Sequence, residues 1–379
     1  MARKRVLWLC SWYPRQADRY TGDFIQRHAR AAALHHDIHV VHVALVDRNI
    51  SLRGAEQKFV EGVDERIVYV KRSNSFAGRL LNHRRILQAY RKAVVEFVDQ
   101  KGRPDLLHVH IPMKAGLAGL WAKKKYGVPM LVTEHWGIYN EVVEDRFSAR
   151  GRMFRALTTK ILAGADQFVS VSEFLVTALK NYVAVPEARI IPNTVDSRWF
   201  YYKERQPAPF RFIHVSNLAP LKNVQGILRA FSQVVHEKEA ELVIVGNQDN
   251  RMEAFAAALG VPQGSVRFRG EVPYEQVAVE MQSSNCLVLF SQIENSPCVI
   301  PEAFCCGLPV IATTVGGIPE LVNDRNGLLV APVHEEKLAA AMKTMISHYQ
   351  RYDRQRIAID ARAQFSFESV GRSFDKLYQ

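Results

Sequence analysis

Two glutamates, Glu294 and Glu302, stand in the run Glu294-Asn295-Ser296-Pro297-Cys298-Val299-Ile300-Pro301-Glu302, which continues through Ala303-Phe304-Cys305-Cys306-Gly307-Leu308-Pro309-Val310. An apolar stretch, Cys286–Phe290, precedes the run, so the pattern reads strand, loop, helix. In the loop and first turn from Asn295 to Val299 the N–H groups, of which Pro297 has none, lack intrahelical acceptors and carry the positive end of a helix dipole. Such donors suit sugar hydroxyls and a diphosphate. Glu302, inside the helix, can accept both hydroxyls of a ribose in two parallel hydrogen bonds. Glu294, ahead of the helix, is placed to meet a sugar. On one continuous helix the two would be ~12 Å apart along the axis, beyond the ~5–9.5 Å of a hydrolytic carboxylate pair. The intervening loop leaves the true separation open.

The elements that must position these residues recur along the chain. Apolar runs Arg5–Cys10, Ile38–Val46, Ile67–Val70, Leu106–Val109, Met130–Thr133 and Gln167–Val171 predict strands, with helices at Phe24–Leu34, Arg84–Val98, Ala115–Tyr126 and Arg152–Ala163. The rhythm restarts after the polar Tyr202–Pro209: strands at Phe210–Val215, Glu241–Val245, Val266–Phe268, Cys286–Phe290, Pro309–Ala312 and Gly327–Val330. Helices are expected at Asn223–His236, Met252–Leu259, Tyr274–Ser283, Val299–Cys306 and from Glu335 onward. Continuous apolar strands alternating with helices imply parallel sheets covered on both faces. At 379 residues the chain exceeds what one core organises. The fold class is therefore α/β, with two tandem Rossmann-like, doubly wound domains. The first spans residues 1–198 and the second 205–364, and the tail helix at about 365–379 is expected to return to the first. In such folds ligands bind at the carboxyl ends of the strands, here in a cleft between the two sheets. Five cysteines without a C-x-x-C pair indicate neither a disulfide framework nor a zinc site, and a reducing cytosol fits. The apolar start Val6–Cys10 is stopped by Trp12-Tyr13-Pro14-Arg15 and reads as a buried strand rather than a signal peptide.

In this order the blocks resemble family-4 glycosyltransferases of the GT-B fold, across nearly the whole chain. Glu294 and Glu302 match that family's E-x7-E signature, followed by its Glu-Ala-x-x-x-Gly-x-Pro-Val pattern. Gly316-Gly317-Ile318-Pro319-Glu320, Asn326-Gly327, Leu242–Gly246, Val266–Gly270 and Ile191–Asp196 fall where the family has similar blocks. The resemblance implies that Glu294 contacts the donor sugar, Glu302 the nucleotide ribose and Lys222 the pyrophosphate. Lys222 sits at a strand–loop–helix junction, where its charge would stabilise a departing nucleoside diphosphate. Asn217 occupies the position of a common family arginine, and Asn223 that of a common glycine. Gly22 resembles the family's N-terminal glycine facing the donor, and Gly246 lies in a matching block of the donor domain. His135, in Thr133-Glu134-His135-Trp136, matches the histidine beside the donor sugar and acceptor. His108 and His110 are read chiefly as structural, Glu134 and Trp136 as shaping an acceptor pocket. The implied reaction is transfer from a nucleotide-sugar donor with retention of configuration. The acceptor hydroxyl would attack from the leaving-group side. The nucleotide-sugar is a co-substrate. No D-x-D motif ends a strand, and no metal or other cofactor is expected.

The net charge of +12 is one-sided: residues 1–200 carry 32 Lys+Arg against 19 Asp+Glu, the remainder 18 against 19. Such a domain suits nucleic acid, an anionic membrane surface or an acidic substrate, or is simply well solvated. No helix-turn-helix, RNP or zinc pattern supports nucleic acid. The segment Arg72–Lys92 interleaves Arg72, Arg79, Arg84, Arg85, Arg91 and Lys92 with Phe76, Leu80, Leu81, Ile86, Leu87 and Tyr90. With Lys123-Lys124-Lys125 it reads either as a membrane-surface contact or as a helix packing its apolar stripe on the sheet. Arg15, Arg19 and Arg27 could meet phosphates of either substrate. The expected partners are a nucleotide-sugar donor, a saccharide or lipid-linked acceptor from an envelope polysaccharide or glycolipid pathway, and an anionic membrane surface. The expected location is the cytoplasm, at the inner membrane face. A nucleotide-sugar epimerase and a non-catalytic nucleotide-sugar-binding protein stand as the rival readings. A dinucleotide oxidoreductase is poorer, since no G-x-G-x-x-G follows the first strand.

Overall fold

A computed structural model describes residues 2–16, 18–47, 54–204, 209–247 and 250–379, with the side chains of Phe76, Ala77, Arg79, Leu80 and Asn250 excepted. The side chains of Phe76, Arg79 and Leu80, and Pro207 of the polar connection, therefore lie outside the described residues. The chain divides into two compact units: Met1–Thr194 with Phe367–Gln379, and Val195–Ser366.

In the first unit the chain runs β1 (Arg5–Cys10), α1 (Asp23–Ala33), β2 (Asp37–Val46), β3 (Gly54–Val60), β4 (Val63–Lys71) and α2 (Phe76–Lys101). It continues through β5 (Leu106–His110), α3 (Ala115–Tyr126), β6 (Met130–Glu134), α4 (Arg152–Ala163), β7 (Gln167–Ser170), α5 (Glu173–Lys180) and β8 (Ala188–Ile190). The sheet order is β3-β4-β2-β1-β5-β6-β7-β8, parallel except for the antiparallel β3–β4 pair. β5 and β6 are buried at every position, as strands covered on both faces must be. β3, Gly-Ala-Glu-Gln-Lys-Phe-Val, is mostly exposed and carries no apolar run. That is why periodicity does not find this edge strand. α2 starts at Phe76 rather than Arg84 because Ser75 caps it, its Oγ accepting the Gly78 N–H at 3.1 Å.

The second unit runs β9 (Phe210–Val215), α6 (Val224–Val235), β10 (Ala240–Val245), α7 (Asn250–Ala258), β11 (Val266–Phe268) and α8 (Tyr274–Gln282). Then follow β12 (Cys286–Leu289), α9 (Val299–Cys305), β13 (Val310–Thr313), β14 (Gly327–Val330), α10 (Glu335–Ser347) and α11 (Arg354–Phe365). Its six parallel strands take the order β11-β10-β9-β12-β13-β14, the dinucleotide-fold order. The last helix, α12 (Phe367–Tyr378), belongs to the first unit and packs along α1. Val370, Phe374, Leu377 and Tyr378 form its buried stripe at helical spacing. Gly371 permits the approach, since a Cβ there would lie 2.5 Å from the Ala31 carbonyl oxygen.

Each sheet has one switch point, where the chain, having built outward on one side, crosses to the other. In the first unit it lies between β1 and β5, in the second between β9 and β12. Loops leaving the carboxyl ends of such neighbouring strands diverge and leave a crevice. Among the described residues no helix is long and apolar enough to cross a membrane.

Candidate functional site

The switch point of the second unit brings together the loop after β9 (Ser216 to Asn223) and the loop after β12 (Phe290 to Cys298). Lys222 Nζ lies 2.5 Å from Glu294 Oε1, and the Ser291 hydroxyl donates to the same oxygen at 2.8 Å. The Gln292 N–H donates to the Leu221 carbonyl at 2.8 Å, tying the two loops together. Glu294 is held from behind as well: its carbonyl accepts the Gly317 N–H at 3.0 Å. Gly316 has φ +59°, and a Cβ there would sit 1.7 Å from that carbonyl oxygen, so only glycine fits.

A hydrogen-bond relay shapes the lysine loop. His214, buried, donates from Nδ1 to the Val288 carbonyl at 2.9 Å, and its Nε2 accepts the Ser216 hydroxyl at 2.8 Å. Ser216 Oγ in turn accepts the Leu218 N–H at 3.0 Å. Burial, then the Lys222 charge, holds His214 at about 4, so the ring is neutral and the relay has a fixed sense. Asn217 is exposed and accepts the Ala219 N–H at 3.2 Å, closing an Asx turn. Asn223 takes φ +49° and caps α6, its Oδ1 accepting the Gly226 N–H at 3.2 Å. Asparagine tolerates this left-handed conformation and supplies a cap that glycine cannot.

Glu302 lies in α9, is 3% exposed, and accepts the Tyr274 hydroxyl at 2.9 Å. Glu294 therefore sits in a loop and Glu302 in a helix, with different hydrogen-bond partners. Asn295, Ser296, Cys298 and Val299 line the run between them half-buried, with Pro297 buried. Gly246, directly after β10, has φ +155°, and a Cβ would fall 1.9 Å from the Ser216 carbonyl oxygen. A cavity of about 130 Å³ beside it is bounded by Leu218, Asn247, Phe268, Arg269 and Gly270. His214, Ser216, Ser291 and Tyr274 escape a sequence reading. Each acts through a partner brought near only by strand order, and none carries a spacing signal of its own.

In the first unit Gly22 has φ +79° at the start of α1, and a Cβ there would lie 2.7 Å from the Trp12 and Tyr13 backbone. The chain after β1 crosses there in direct contact. Arg27, a candidate for phosphate contact, is buried and paired to Asp23 at 2.6 Å, with Nε donating to the Thr194 carbonyl at 3.2 Å. It braces α1 instead. Arg19 is exposed, and Arg15 pairs with Asp18 at 3.3 Å.

His135 follows β6 and is 8% exposed, its Nε2 3.3 Å from His110 Nδ1. Phe24 and His28 pack on its ring at 4.9 and 5.6 Å. Burial, with the nearby His28 and His108, holds it well below the usual histidine range, so it is neutral at physiological pH. His108 is bonded on both ring nitrogens, to Tyr378 and Thr133 hydroxyls at 2.6 Å each, and His110 stacks on Trp8 at 3.9 Å. Glu134 turns back on its own loop, accepting the His135 and Trp136 N–H groups at 2.8 and 2.9 Å and the Tyr139 hydroxyl at 2.8 Å. Burial outweighs those bonds and raises it to about 7. Its part is to fix the turn that presents His135 and Trp136. In α2, Ile86 and Tyr90 are buried against the sheet, while Arg84, Arg85 and Lys92 face solvent and Leu81 is 44% exposed. Lys123 is paired with Asp166 at 2.6 Å.

Residues 17–199 match the family described as Glycosyltransferase Family 4, and residues 209–348 that described as Glycosyl transferases group 1. An N-acetyl-alpha-D-glucosaminyl L-malate synthase of Bacillus anthracis is 26% identical over 242 residues, covering 60% of this chain and 61% of the relative. A D-inositol 3-phosphate glycosyltransferase of Corynebacterium jeikeium is 26% identical over 322 residues, covering 77% of this chain and 76% of the relative. A solved sucrose-phosphate synthase from Thermosynechococcus elongatus superposes with TM-score 0.79 at 20% identity, over 99% of this chain and 98% of that one. Its likeness shows the shared GT-B architecture.

Proposed function

The chain belongs to the family-4 glycosyltransferases, and on that premise we propose that it moves a sugar from a nucleotide-sugar held by the second unit to a hydroxyl of an acceptor held by the first. The observation that carries this reading is the meeting of Lys222 and Glu294 at the switch point of the second unit, 2.5 Å apart. A cation and a carboxylate on converging loops suit a diphosphate on one side and a polyol on the other. In this reading Lys222 neutralises the diphosphate, Glu294 takes donor-sugar hydroxyls and Glu302 takes the ribose diol. Gly246 lets the nucleotide approach the backbone, and the N–H groups of Asn295, Ser296, Cys298 and Val299 complete the donor contacts, with Pro297 shaping the loop between them. Asn217 supports them through the turn it closes. Gly22 keeps the first unit's loop close-packed, and the neutral imidazole of His135 orients the acceptor.

The proposed chemistry proceeds with retention. The C1–O bond to the diphosphate breaks with its electron pair going to the phosphate oxygen. The acceptor hydroxyl forms the new bond from the same face, and its proton passes to that oxygen. No protein nucleophile is required. Lys222 supplies charge stabilisation that a metal ion supplies elsewhere. A nucleotide-sugar epimerase is not favoured, since both matched family descriptions are those of glycosyltransferases. The acceptor is proposed to be an envelope saccharide or glycolipid precursor, met at the cytoplasmic membrane face. The exposed Arg84, Arg85, Lys92 and Lys124 support such a surface. Flotation with anionic vesicles should show salt-sensitive binding; its absence removes the membrane part.

The test is a thermal-shift panel of UDP-, GDP- and ADP-sugars in excess chelator, followed by mass spectrometry of products with the best binder. One donor class should stabilise the protein and yield an acceptor heavier by one sugar plus the nucleoside diphosphate. A strict magnesium requirement would overturn the role given to Lys222, and epimerised donor without transfer would overturn the reaction.

A further inference from the structure

The first unit carries a cavity of about 460 Å³ at the carboxyl edge of its sheet, around the β1/β5 switch point. Its walls come from separate loops: Arg15 after β1, Arg72 after β4, Lys114 after β5, and Trp136 and Arg150 after β6. Asp18 is the one carboxylate among the lining residues. Lys114 has no carboxylate partner among the described residues. Arg72 shares an adjoining cavity of about 420 Å³ with it and depresses its ionisation, second to desolvation. Lys114 and Arg72, from different loops, thus line one space whose one lining carboxylate, Asp18, is paired with Arg15 at 3.3 Å.

The pairs that do exist are exchangeable. Arg72 meets Asp47 at 3.2 Å with side chains 48% and 58% exposed, a contact that water and salt weaken. Arg150 pairs with the exposed Asp145 and lies over Trp136 at 5.1 Å. A second observation is independent of charge. His42 lines the same cavity, is 3% exposed, and donates from Nδ1 to the Cys10 carbonyl at 2.8 Å, which leaves buried Nε2 a lone-pair acceptor with no partner. Burial holds the ring at about 4, so it stays neutral. A buried acceptor without a donor is matched by a ligand hydroxyl. Trp12 and Trp136, 5.4 Å apart, add apolar faces of the kind that pack on a sugar ring.

We propose that this cavity holds the acceptor and that the acceptor is a polyol bearing a phosphate or carboxylate, its oxyanion held by Lys114 and Arg72 and one hydroxyl donated to His42 Nε2. Resting on the transferase reading, the assignment names the substrate class of the first unit. It is tested by titrating the full chain, without donor, with glucose 6-phosphate, glucuronate and glucose, and by sedimentation with phosphatidylglycerol against phosphatidylcholine vesicles. At least one anionic probe should bind more tightly than its neutral counterpart. The Lys114→Gln/Arg72→Gln variant should weaken that binding about 10- to 100-fold, the loss of one or two charge-assisted hydrogen bonds. Binding of the soluble anions identifies a free sugar acid or phosphate; binding of anionic vesicles alone identifies a lipid headgroup. Both outcomes support the proposal. No anion preference, or equal anion binding by the variant, overturns it. Nucleotide binding measured in parallel separates this from failure of the transferase reading, which would appear as no nucleotide-sugar binding in either protein.

Discussion

Glu294 pairs with Lys222 at 2.5 Å, so in the reading proposed above a nucleoside diphosphate displaces that carboxylate when it meets the lysine. The pair is neither fully buried nor exposed: the Lys222 side chain retains 24% of its accessibility and Glu294 10%. Exposed pairs contribute ~0–1 kcal/mol, and breaking a buried one costs ~3–5 kcal/mol. This pair falls between, at about 1–3 kcal/mol. Glu294→Gln keeps the shape and removes the competing charge. The nucleoside diphosphate should therefore bind about 5- to 150-fold more tightly, at roughly 1.4 kcal/mol per decade. Turnover should fall, because the carboxylate no longer meets the donor sugar. Calorimetry of the best-binding nucleoside diphosphate at low and high salt, with steady-state kinetics beside it, reads both effects. Weaker nucleotide binding by Glu294→Gln than by wild type, with the variant folded, would refute the claim that Glu294 holds Lys222 back.

Two further outcomes follow from geometry and burial. Gly316→Ala forces a Cβ against the Glu294 carbonyl at a positive φ and should cost on the order of 2 kcal/mol or more of stability, with loss of turnover, in a denaturant titration; an unchanged midpoint would contradict the packing described. His28 and His42 are held at about 4 and His108 at about 3 by burial, below their unfolded value of about 6.5. The native state thus binds fewer protons, and their stabilisation is complete above about 6.5 and is lost as pH falls towards 4. Glu134, raised to about 7, acts with the opposite sign, favouring the native state as pH falls from 7 towards its unfolded value. Between pH 6.5 and 5 each histidine loses ~2 kcal/mol and Glu134 returns ~2 kcal/mol, so net stability should drop by several kcal/mol. A denaturation midpoint that is flat or rises over that interval would contradict the burial of this cluster.

The parallel core was legible because strands such as Leu287–Leu289 and Met130–Val132 are apolar at consecutive positions, which only two covered faces require. β3 and the three-residue β8 were not, since an exposed edge and a very short strand have no periodicity to read. Family spacing picked out Lys222, Glu294 and Glu302. Their neighbours Ser291, His214 and Tyr274 needed the strand order to come within reach. Arg27 shows the opposite error: a basic residue beside a glycine loop suggested an anion, yet helical spacing from Asp23 pairs it within α1. Lys114, Arg72, Arg150 and His42 lie on loops or strands far apart in sequence, and only the switch point of the first sheet gathers them. The departure at Asn223 proved local, since an asparagine there supplies both the left-handed turn and the cap.

The central claim is that the second unit holds a nucleotide-sugar with Glu302 on its ribose. Calorimetric titration of the best nucleotide-sugar into wild type and Glu302→Ala tests it most directly. Loss of two hydrogen bonds to a carboxylate, at a net ~1.5–3 kcal/mol each, predicts affinity falling by about 100-fold or more at roughly 1.4 kcal/mol per decade. Equal affinity in the folded variant would contradict the account.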